Sequence, residues 1–435
     1  MKRFIIKKID IYTSSLEFLT GFSIDEPTVN KCYNWPFINI AGWVVGKNRL
    51  ITEVEVTLET LYLPLQTTSV GVPRPDVAKF LSNIPESKNS GFFSRFSVVG
   101  LPPRFEILVN AIDVDREVIP MATIQVEAEG EAGNDSQEVS RYLQPILLSA
   151  LARSGTTWLM RLLISHPAIV GYPRYPYELH VAGYAWHACR VLAAPSGLTG
   201  LSHPDLFWFD LQRISSNPFF SPHLDDLTDW FKDEYIKQIL SCHQFAVESF
   251  YRHLSLKNFK RDALFFAEKQ VVPYYSWLAW DLYPRTREIF LVRDWRDVFC
   301  SILAFNNKRG IVTFGRETVN SDIDFAHRLK KGISNIYKQY SMRSNKTLLV
   351  RYEDLIFKPY EELKRIFEYI GVDSESVVVN AVIEQANRPD PLLQQHRTSH
   401  SEQESVGRWK RDLSPELQEA INAIFQEHLQ AFGYA

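Results

Sequence analysis

Residues 144–163, QPILLSALARSGTTWLMRLL, place hydroxyl and guanidinium groups between two apolar stretches. The first apolar stretch, 145–151, predicts a buried strand, and 157–165 predicts a helix. The residues between them then form a strand-to-helix loop. The free N–H groups and the dipole at the start of the helix favour a bound anion. This spacing indicates a loop that holds a phosphate or sulfate group.

The side chains of this loop suit the same ligand. Gly155 lets the backbone approach an anion closely, Arg153 carries a full charge, and hydroxyls follow at Ser154, Thr156 and Thr157. The same glycine and hydroxyls could instead do no more than cap the helix. A Walker A loop, GxxxxGK(S/T), is absent from this stretch, which argues against an ATPase or GTPase.

A second charged stretch, EIFLVRDWRDVFCSILAF, has the same strand-to-helix form. We predict that the strand ends at Arg293, that a helix begins near Arg296–Asp297, and that Ser301 lies eight residues beyond Arg293. The planar donors of an arginine suit phosphate oxygens, and a hydroxyl one or two turns into the helix could contact the same group. A buried ion pair at the strand end is the alternative.

Together, the two stretches resemble the nucleotide-binding motifs of the sulfotransferases that use 3′-phosphoadenosine 5′-phosphosulfate (PAPS), over roughly residues 141–433. The resemblance implies a P-loop-like α/β domain that passes a sulfuryl group to an acceptor and releases the bisphosphate PAP, without a metal. It implies that Arg293 and Ser301 bind the 3′-phosphate, and that Arg153 also stabilises the leaving phosphate. It assigns the 5′-phosphosulfate to Arg153, Ser154, Gly155, Thr156, Thr157 and Trp158.

Two further segments are similar to the same family. In VRYEDL, the resemblance places Tyr352 near the adenine, with a core tyrosine as the alternative. ESVGRWKRDLS resembles the C-terminal loop that closes over the 3′-phosphate. It departs from the animal cytosolic pattern, because Glu402-Gln403-Glu404 stands where those enzymes carry Arg-Lys-Gly. The candidates in this region are Ser405, Arg408, Trp409 and Lys410, with Arg397 as a more distant one.

These motifs do not identify the general base. Cytosolic members of the family use a histidine in a Lys-x-His segment, and this chain has FFAEKQVVP in the corresponding place. Glu268 is therefore one candidate base, with Lys269 assisting the sulfuryl group, and Glu178 in YPRYPYELH is an equal candidate. His180 and His187 come third, and either glutamate could instead belong to a structural ion pair.

The expected acceptor is a hydroxyl on a carbohydrate or glycolipid. Between about residues 172 and 250 the chain is crowded with aromatic side chains, which would suit a sugar or aromatic acceptor or would simply pack a lid. They include Tyr175, Tyr177, Tyr184, Trp186, Trp208 and Phe209. A nucleotide kinase and a non-catalytic nucleotide- or glycan-binding protein remain as alternative functions.

The elements that must position these groups alternate along the second part of the chain. Apolar runs at 145–151, 263–268, 288–294 and 347–352 are typical of strands in a parallel sheet buried on both faces, and helical patterns separate them. KPYEELKRIFEYIG and SPELQEAINAIFQEHLQAFG predict helices that cover the sheet. This pattern predicts an α/β domain.

The N-terminal part has the pattern of β structure. EVEVTLETL at 53–61 alternates apolar and polar residues, and 104–127 alternates likewise around a turn at Asp113–Asp115. Several such strands favour an all-β sandwich. Gly, Asn, Ser and acidic residues then follow without a large apolar side chain, which is typical of a linker.

We therefore predict a β-sandwich domain of accessory role at 1–126, a linker at 127–140 and the α/β sulfotransferase domain at 141–435. The first domain resembles, more loosely, sandwich modules attached to bacterial glycan-modifying enzymes. Trp43 and Arg74 suggest carbohydrate binding there, with a homodimer contact or scaffolding as equal alternatives.

Composition argues against several classes of function. The formal net charge of −3, from 48 Lys+Arg and 51 Asp+Glu, provides no electrostatic case for nucleic acid. No apolar run approaches the roughly 18 residues of a membrane helix. The N-terminal MKRFIIKKIDIY has no cleavage site after it, so we expect a mature chain without a transmembrane segment. Four widely spaced cysteines favour a reducing cytoplasm.

Overall fold

The structure, a computed structural model, describes residues 3–34, 37–58, 63–130, 141–193, 230, 234–270, 276–399 and 401–434. The chain divides into two compact units. One consists of Met1–Asp135 and Tyr184–Phe245, and the other of Ser136–Gly183 and Ala246–Ala435. Residues 131–140 of the predicted linker lie outside the described residues, so the predicted domain limits stay a prediction.

The N-terminal region is rich in β structure, as the sequence predicts. Its described elements are β1 (Arg3–Ile11), β2 (Leu19–Glu26), β3 (Cys32–Asn34), β4 (Phe37–Gly46), β5 (Ile51–Leu58), β6 (Leu63–Ser69), α1 (Pro75–Phe80), β7 (Gly91–Ser97), β8 (Arg104–Asp113) and β9 (Val118–Glu129). The strands form two antiparallel sheets, in the orders β3-β1-β9-β8-β5-β6 and β2-β4-β7. The predicted hairpin is β8–β9, and Asp113 Oδ1 holds its turn by accepting the N–H groups of Asp115 and Glu117, each at 2.9 Å.

The two residues that suggested carbohydrate binding take part in contacts within this region. Arg74 forms ion pairs with Asp25 and Asp76, both at 2.6 Å. The ring of Trp43 packs on Gly21, where a Cβ atom would lie 3.0 Å from the ring. Carbohydrate binding by this region stays a prediction.

The second region contains a parallel sheet flanked by helices, which confirms the predicted α/β class. Its strands are β10 (Gln144–Ser149), β11 (Ile169–Val170), β12 (Phe265–Gln270), β13 (Arg287–Val292) and β14 (Leu348–Arg351), in the order β11-β12-β10-β13-β14. The described helices are α2 (Thr156–Ser165), α3 (Val181–Leu192), α4 (Ile236–Lys257), α5 (Ser276–Leu282), α6 (Trp295–Arg309), α7 (Asp322–Ser341), α8 (Tyr352–Phe357), α9 (Pro359–Ile370), α10 (Ser376–Ala386), α11 (Pro391–His396), α12 (Trp409–Asp412) and α13 (Pro415–Ala431).

Apolar side chains cover the parallel sheet with two separate clusters. One cluster contains Leu148 and Leu291 together with buried residues of α2, α9 and α10. The other contains Val292 together with buried residues of α6, α7 and α13. Burial on both sides explains why the strand sequences are almost continuously apolar.

Two predicted strands differ from the observed ones at their ends. The run 263–268 becomes β12 at 265–270, because Phe265 pairs with Gln144 and the strand then stays in parallel register with β10. Tyr352 does not end a strand but begins α8, with Arg351 in extended conformation before it. The two predicted cover helices are confirmed as α9 and α13, and Ser414 caps α13 by accepting the N–H of Leu417.

A buried polar network centred on Glu288 connects strands of the parallel sheet to the neighbouring segments. Glu288 on β13 is fully buried, and its Oε1 accepts from the hydroxyls of Ser149 at 2.6 Å and Ser276 at 2.8 Å. The fully buried Arg343 places its Nε 2.9 Å from Glu288 Oε2. The network therefore ties β10, β13, α5 and the residues after α7 together.

We expect Glu288→Ala to lower the free energy of unfolding by about 3–5 kcal/mol, because the variant leaves the Arg343 charge buried without its partner. Urea denaturation of the purified chain measures this. Arg116→Ala is the control: it removes an ion pair to Glu53 whose arginine is 65% exposed, and it should cost less than about 1 kcal/mol. Equal costs for the two variants would contradict the assignment.

Candidate active site

The predicted anion loop sits at the junction of β10 and α2. Gly155 is the residue before α2 and has a left-handed backbone, with φ of 94°. A Cβ atom at this position would lie 2.2 Å from Cδ2 of Tyr352. Only glycine meets both requirements, because other residues avoid positive φ and none fits against the ring. The loop therefore packs directly against the ring of Tyr352 through Gly155.

Arg153 reaches from this loop to the second predicted motif. Its Nε donates to Oγ of Ser301 at 3.2 Å, and its guanidinium lies 4.7 Å from the ring centroid of Phe305. Burial lowers the pKa of Arg153 to about 10, with the neighbouring Arg293 as the second cause, so the group stays charged at neutral pH. The arginine assigned to the 5′ side of the ligand therefore contacts the serine assigned to the 3′ side.

Arg293 completes the second motif at the junction of β13 and α6. It donates through one terminal nitrogen to the carbonyl of Arg153 at 3.2 Å and through the other to the carbonyl of Ser405. Its guanidinium lies 4.7 Å from the ring centroid of Tyr352. Asp294 caps α6 by accepting the N–H of Arg296 at 3.0 Å. Arg293 thus joins both loops and the C-terminal segment.

A cavity of about 150 Å³ lies where these segments meet. Its lining contains most of the residues predicted from the two motifs, and some that were not predicted. The lining residues are Arg153, Gly155, Thr156, Thr157, Trp158, Tyr175, Arg293, Ser301, Tyr352, Leu393, Arg397, Thr398, Ser399, Ser401, Glu402 and Ser405. The Nε of Arg293 and Nε1 of Trp158 are buried without a hydrogen-bond partner among the described residues. The cavity walls therefore hold donors that an anionic ligand could satisfy.

Three predicted binding residues do not line this cavity. Ser154 is fully buried, and its hydroxyl has no partner among the described residues. Arg408 instead donates to Asp412 at 2.7 Å and to Thr398 at 2.9 Å. Trp409 packs in the core under Arg296, whose guanidinium lies 4.1 Å from a Trp409 ring centroid. None of these three side chains lines the cavity in this structure, and their contacts with a ligand stay a prediction.

Glu178 lies close to the anion loop through a lysine. Its Oε2 is 3.1 Å from Nζ of Lys269, and this Nζ also donates to Thr157 Oγ1 at 3.2 Å and to the carbonyl of Pro176 at 2.7 Å. Burial lowers the pKa of Lys269, and Glu178 opposes that shift. His180 Nε2 is 3.9 Å from Glu178 Oε2. Glu178 therefore does not line the cavity itself, but it contacts Lys269, which in turn bonds to Thr157 in the cavity wall.

Glu268 has a different environment, although it precedes Lys269. The side chain is buried, and its two oxygens accept the N–H groups of Ala182 at 2.8 Å and Gly183 at 3.2 Å. The hydroxyl of Tyr251 donates to it as well. Burial raises the pKa of Glu268, and these hydrogen bonds oppose the shift. Glu268 thus caps the first turn of α3 and does not line the cavity.

The other predicted residues are placed as follows. Tyr177 donates from its hydroxyl to Asp390, and Tyr184 and His187 lie exposed on α3. Lys410 lies 5.6 Å from a Trp409 ring centroid. Trp208 and Phe209 lie outside the described residues. Sequence reasoning missed Thr398, Ser399 and Ser401, whose only signal was a run of hydroxyl side chains ahead of Glu402.

A family profile described as the sulfotransferase domain matches residues 143–433, which include both loops and the C-terminal segment. The chain belongs to this sulfotransferase family. Carbohydrate sulfotransferase 1 of Mus musculus and of Rattus norvegicus are each 28% identical to it over 130 residues. That alignment spans 28% of this chain and 30% of each relative, so less than a third of either protein is matched.

Solved sulfotransferase structures also align with this member of the family. The sulfotransferase domain of the curacin biosynthetic pathway has a TM-score of 0.39 and 17% identity, covering 66% of this chain and 98% of that one. The domain of a Synechococcus olefin synthase has a TM-score of 0.39 and 19% identity, covering 71% and 99%. A mouse sulfotransferase complexed with PAP has a TM-score of 0.36 and 13% identity, covering 67% and 88%.

Neither a metal-binding cluster nor a membrane-spanning helix is present among the described residues. No group of three or more His, Cys, Asp or Glu side chains in the described part of this sulfotransferase-family chain is arranged to hold a metal ion. Within the same residues, none of the helices combines the length and the apolar character needed to cross a membrane.

We expect Gly155→Ala to destabilise the protein more than Gly371→Ala does. Gly371, which ends α9, has φ of 84° but open space around it, so its variant suffers only the cost of a positive φ, about 1 kcal/mol. Gly155→Ala also forces its Cβ into Tyr352, which should add at least about 1 kcal/mol. Urea denaturation of the two variants measures the difference.

A double variant separates the clash from any other effect. The extra cost of Gly155→Ala should disappear when Tyr352→Ala is already present, because the ring that would clash is gone. If the two glycine variants cost the same, or if the extra cost survives without the ring, the contact with Tyr352 is not what requires glycine.

Proposed function

We propose that this chain is a PAPS-dependent sulfotransferase that transfers a sulfuryl group to an acceptor hydroxyl and releases PAP. The observation that carries the proposal is the meeting of both strand–helix junctions at one cavity, with Arg153, Arg293 and Ser301 in mutual reach. The buried Nε of Arg293 and Nε1 of Trp158 are donors suited to phosphate oxygens. The residues present therefore fit a bisphosphorylated nucleotide.

Each junction would hold one charged end of the donor. The N–H groups at the start of α2 and the hydroxyls of Thr156 and Thr157 would receive the 5′ end. Arg293 and Ser301 would receive the 3′-phosphate, and Arg153 lies where it can serve either. The donor supplies the sulfuryl group, whose departure leaves negative charge on the 5′-phosphate. In this scheme the arginines and the helix N-terminus supply the compensating positive charge, and no metal takes part.

We assign the general base to Glu178. The base must accept the proton of the acceptor hydroxyl, so its carboxylate needs room for another hydrogen bond. Both oxygens of Glu268 already accept bonds from Ala182, Gly183 and Tyr251. Glu178 is partly exposed and adjoins Lys269, whose Nζ bonds to Thr157 in the anion loop. The Lys269 ammonium group would then contact both Thr157 in the anion loop and the carboxylate of the base, Glu178.

For the acceptor we propose a hydroxyl of a carbohydrate or glycolipid. The names of the partial relatives, carbohydrate sulfotransferases, support this class. Tyr175 lines the cavity, and an aromatic ring is a side chain on which sugars commonly stack. We place the enzyme in the cytoplasm, since all four cysteines are free.

We expect PAP to stabilise the wild-type protein in a thermal-shift titration, whereas ATP does not. A ligand at 100 times its dissociation constant adds roughly 2.7 kcal/mol, which is measurable as a shift in Tm. Arg293→Ala should abolish the PAP shift, and Arg116→Ala, on an exposed arginine of the N-terminal region, should keep it. Stabilisation by ATP alone would favour a kinase, and no shift with either nucleotide would favour a non-catalytic protein.

We expect Glu178→Gln to reduce kcat by about two orders of magnitude or more and to keep PAP binding, because only the proton acceptor is lost. Transfer from radiolabelled PAPS to a panel of oligosaccharides and glycolipids measures kcat. Glu268→Gln should lower Tm, since a buried acceptor of three hydrogen bonds is altered, and should retain kcat in the folded fraction. The reverse result would move the base to Glu268, and full rate in both variants would exclude both.

A further inference from the structure

Part of the cavity wall is formed by the C-terminal loop, defined here as residues 401–409. Three of the loop residues, Ser401, Glu402 and Ser405, line the cavity. The cavity volume of about 150 Å³ is below the roughly 300–1,000 Å³ that is usual for ligand sites. A bound nucleotide would need more room than this, which an outward movement of the loop would provide, and the bonds that hold the loop would then contribute to affinity.

Two of those bonds end on Asp297, a residue that does not line the cavity. Asp297 lies in the first turn of α6 and is fully buried. Its Oδ2 accepts the N–H of Gly407 at 2.7 Å, and its Oδ1 accepts the N–H of Trp409 at 3.1 Å. One carboxylate thus satisfies two backbone donors that lie more than a hundred residues later in the chain.

The backbone at this point is shaped for that contact. Gly407 has φ of 70°, in the left-handed region that other residues avoid, and a Cβ atom there would meet nothing within 4 Å. The glycine is therefore required by the turn and not by crowding. The turn directs the N–H groups of residues 407 and 409 to the same carboxylate.

Some other bonds of the loop involve residues that would also contact the ligand, whereas Arg408 donates to Asp412 and Arg411 donates to the carbonyl of Glu404 away from the cavity. Arg293 donates to the carbonyl of Ser405, and the hydroxyls of Tyr352 and Ser405 are 3.1 Å apart. A nucleotide that enters the cavity competes for these groups. The bonds to Asp297 are outside the cavity, so they can hold the loop in place while the ligand replaces the others.

We propose that Asp297 is a positioning residue that fastens the C-terminal loop over the nucleotide, so that affinity for PAP depends on a carboxylate that does not touch it. The proposal rests on the proposed function, because it takes the cavity as the nucleotide site. Asp297 binds main-chain N–H groups of the loop, so this contact does not depend on the Arg-Lys-Gly run that the loop lacks.

The first test is amide hydrogen exchange, which requires no ligand. At pH 7.5 Asp297 is ionised, because burial raises its pKa only to about 6. Asp297→Ala removes the acceptor of both N–H groups, so we expect exchange in peptides covering 401–412 to become at least about tenfold faster. Asp297→Asn keeps one acceptor oxygen and should have a smaller effect. Unchanged exchange in the alanine variant would overturn the proposal.

The second test is the dissociation constant for PAP, measured by calorimetry. We expect it to rise by at least about tenfold in Asp297→Ala and by less in Asp297→Asn, with kcat at saturating PAPS within about twofold of wild type. A purely structural role would lower Tm without this separation of binding from kcat. An unchanged dissociation constant in a folded variant would overturn the proposal.

A matched control exists in the N-terminal region. Asp113 is also buried and also accepts two backbone N–H groups, those of Asp115 and Glu117. Asp113→Asn should lower stability without changing the dissociation constant for PAP. If Asp297→Ala fails to fold, the dissociation constant for PAP is measured on Asp297→Asn and Gly407→Ala instead. Both variants should bind PAP more weakly than wild type. Absence of PAP binding by wild type would refute the proposed function, while the exchange result would still decide the role of Asp297.

Discussion

The parallel pairing of β10 with β13 is the constraint on which the rest of the site depends. In that register Ser149 lies opposite Phe290, so the two strands reach the same edge of the sheet together. The loops that follow them lie at this same edge, where α2 and α6 begin, which brings Arg153 to Ser301 across 148 residues of sequence. In any strand order that separated β10 from β13, the two motifs would lie apart.

Tyr352 is the common support of the groups that this pairing brings together. Gly155 packs on the Tyr352 ring, and the Arg293 guanidinium lies above the same ring. The Tyr352 hydroxyl is within hydrogen-bond distance of the Ser405 hydroxyl. The two arginines are therefore held near each other within a mostly buried site, an arrangement that is costly without a counter-charge. An anion between them would offset that cost, which supports the proposed phosphorylated ligand.

Three residues in the segments around the cavity have an unfavourable backbone conformation. Arg153, Tyr177 and His180 all have positive φ without being glycine, and such residues cost of the order of 1–3 kcal/mol each. Neighbouring residues of β12 hold the strained segment 176–183 at both ends. Lys269 contacts Pro176 and Glu178, and Glu268 accepts the N–H groups where α3 begins. Strand β12 thus supports a segment whose backbone conformation is unfavourable without these contacts.

Local sequence determined the parts of this protein that depend on local physics. Apolar runs of strand length separated by helical patterns predicted the α/β class, and Gly155 and Arg293 identified their strand–helix junctions, because periodicity and loop chemistry are set by near neighbours. Only the tertiary structure decided where side chains point. It distinguished Glu178 from Glu268, whose oxygens already accept hydrogen bonds. It also directed Arg408 towards Asp412 and buried Trp409, because long-range packing and hydrogen bonds select the side-chain directions. The role of Asp297 also comes from the tertiary structure, since its partners are distant in the chain and are backbone N–H groups, which every residue but proline carries.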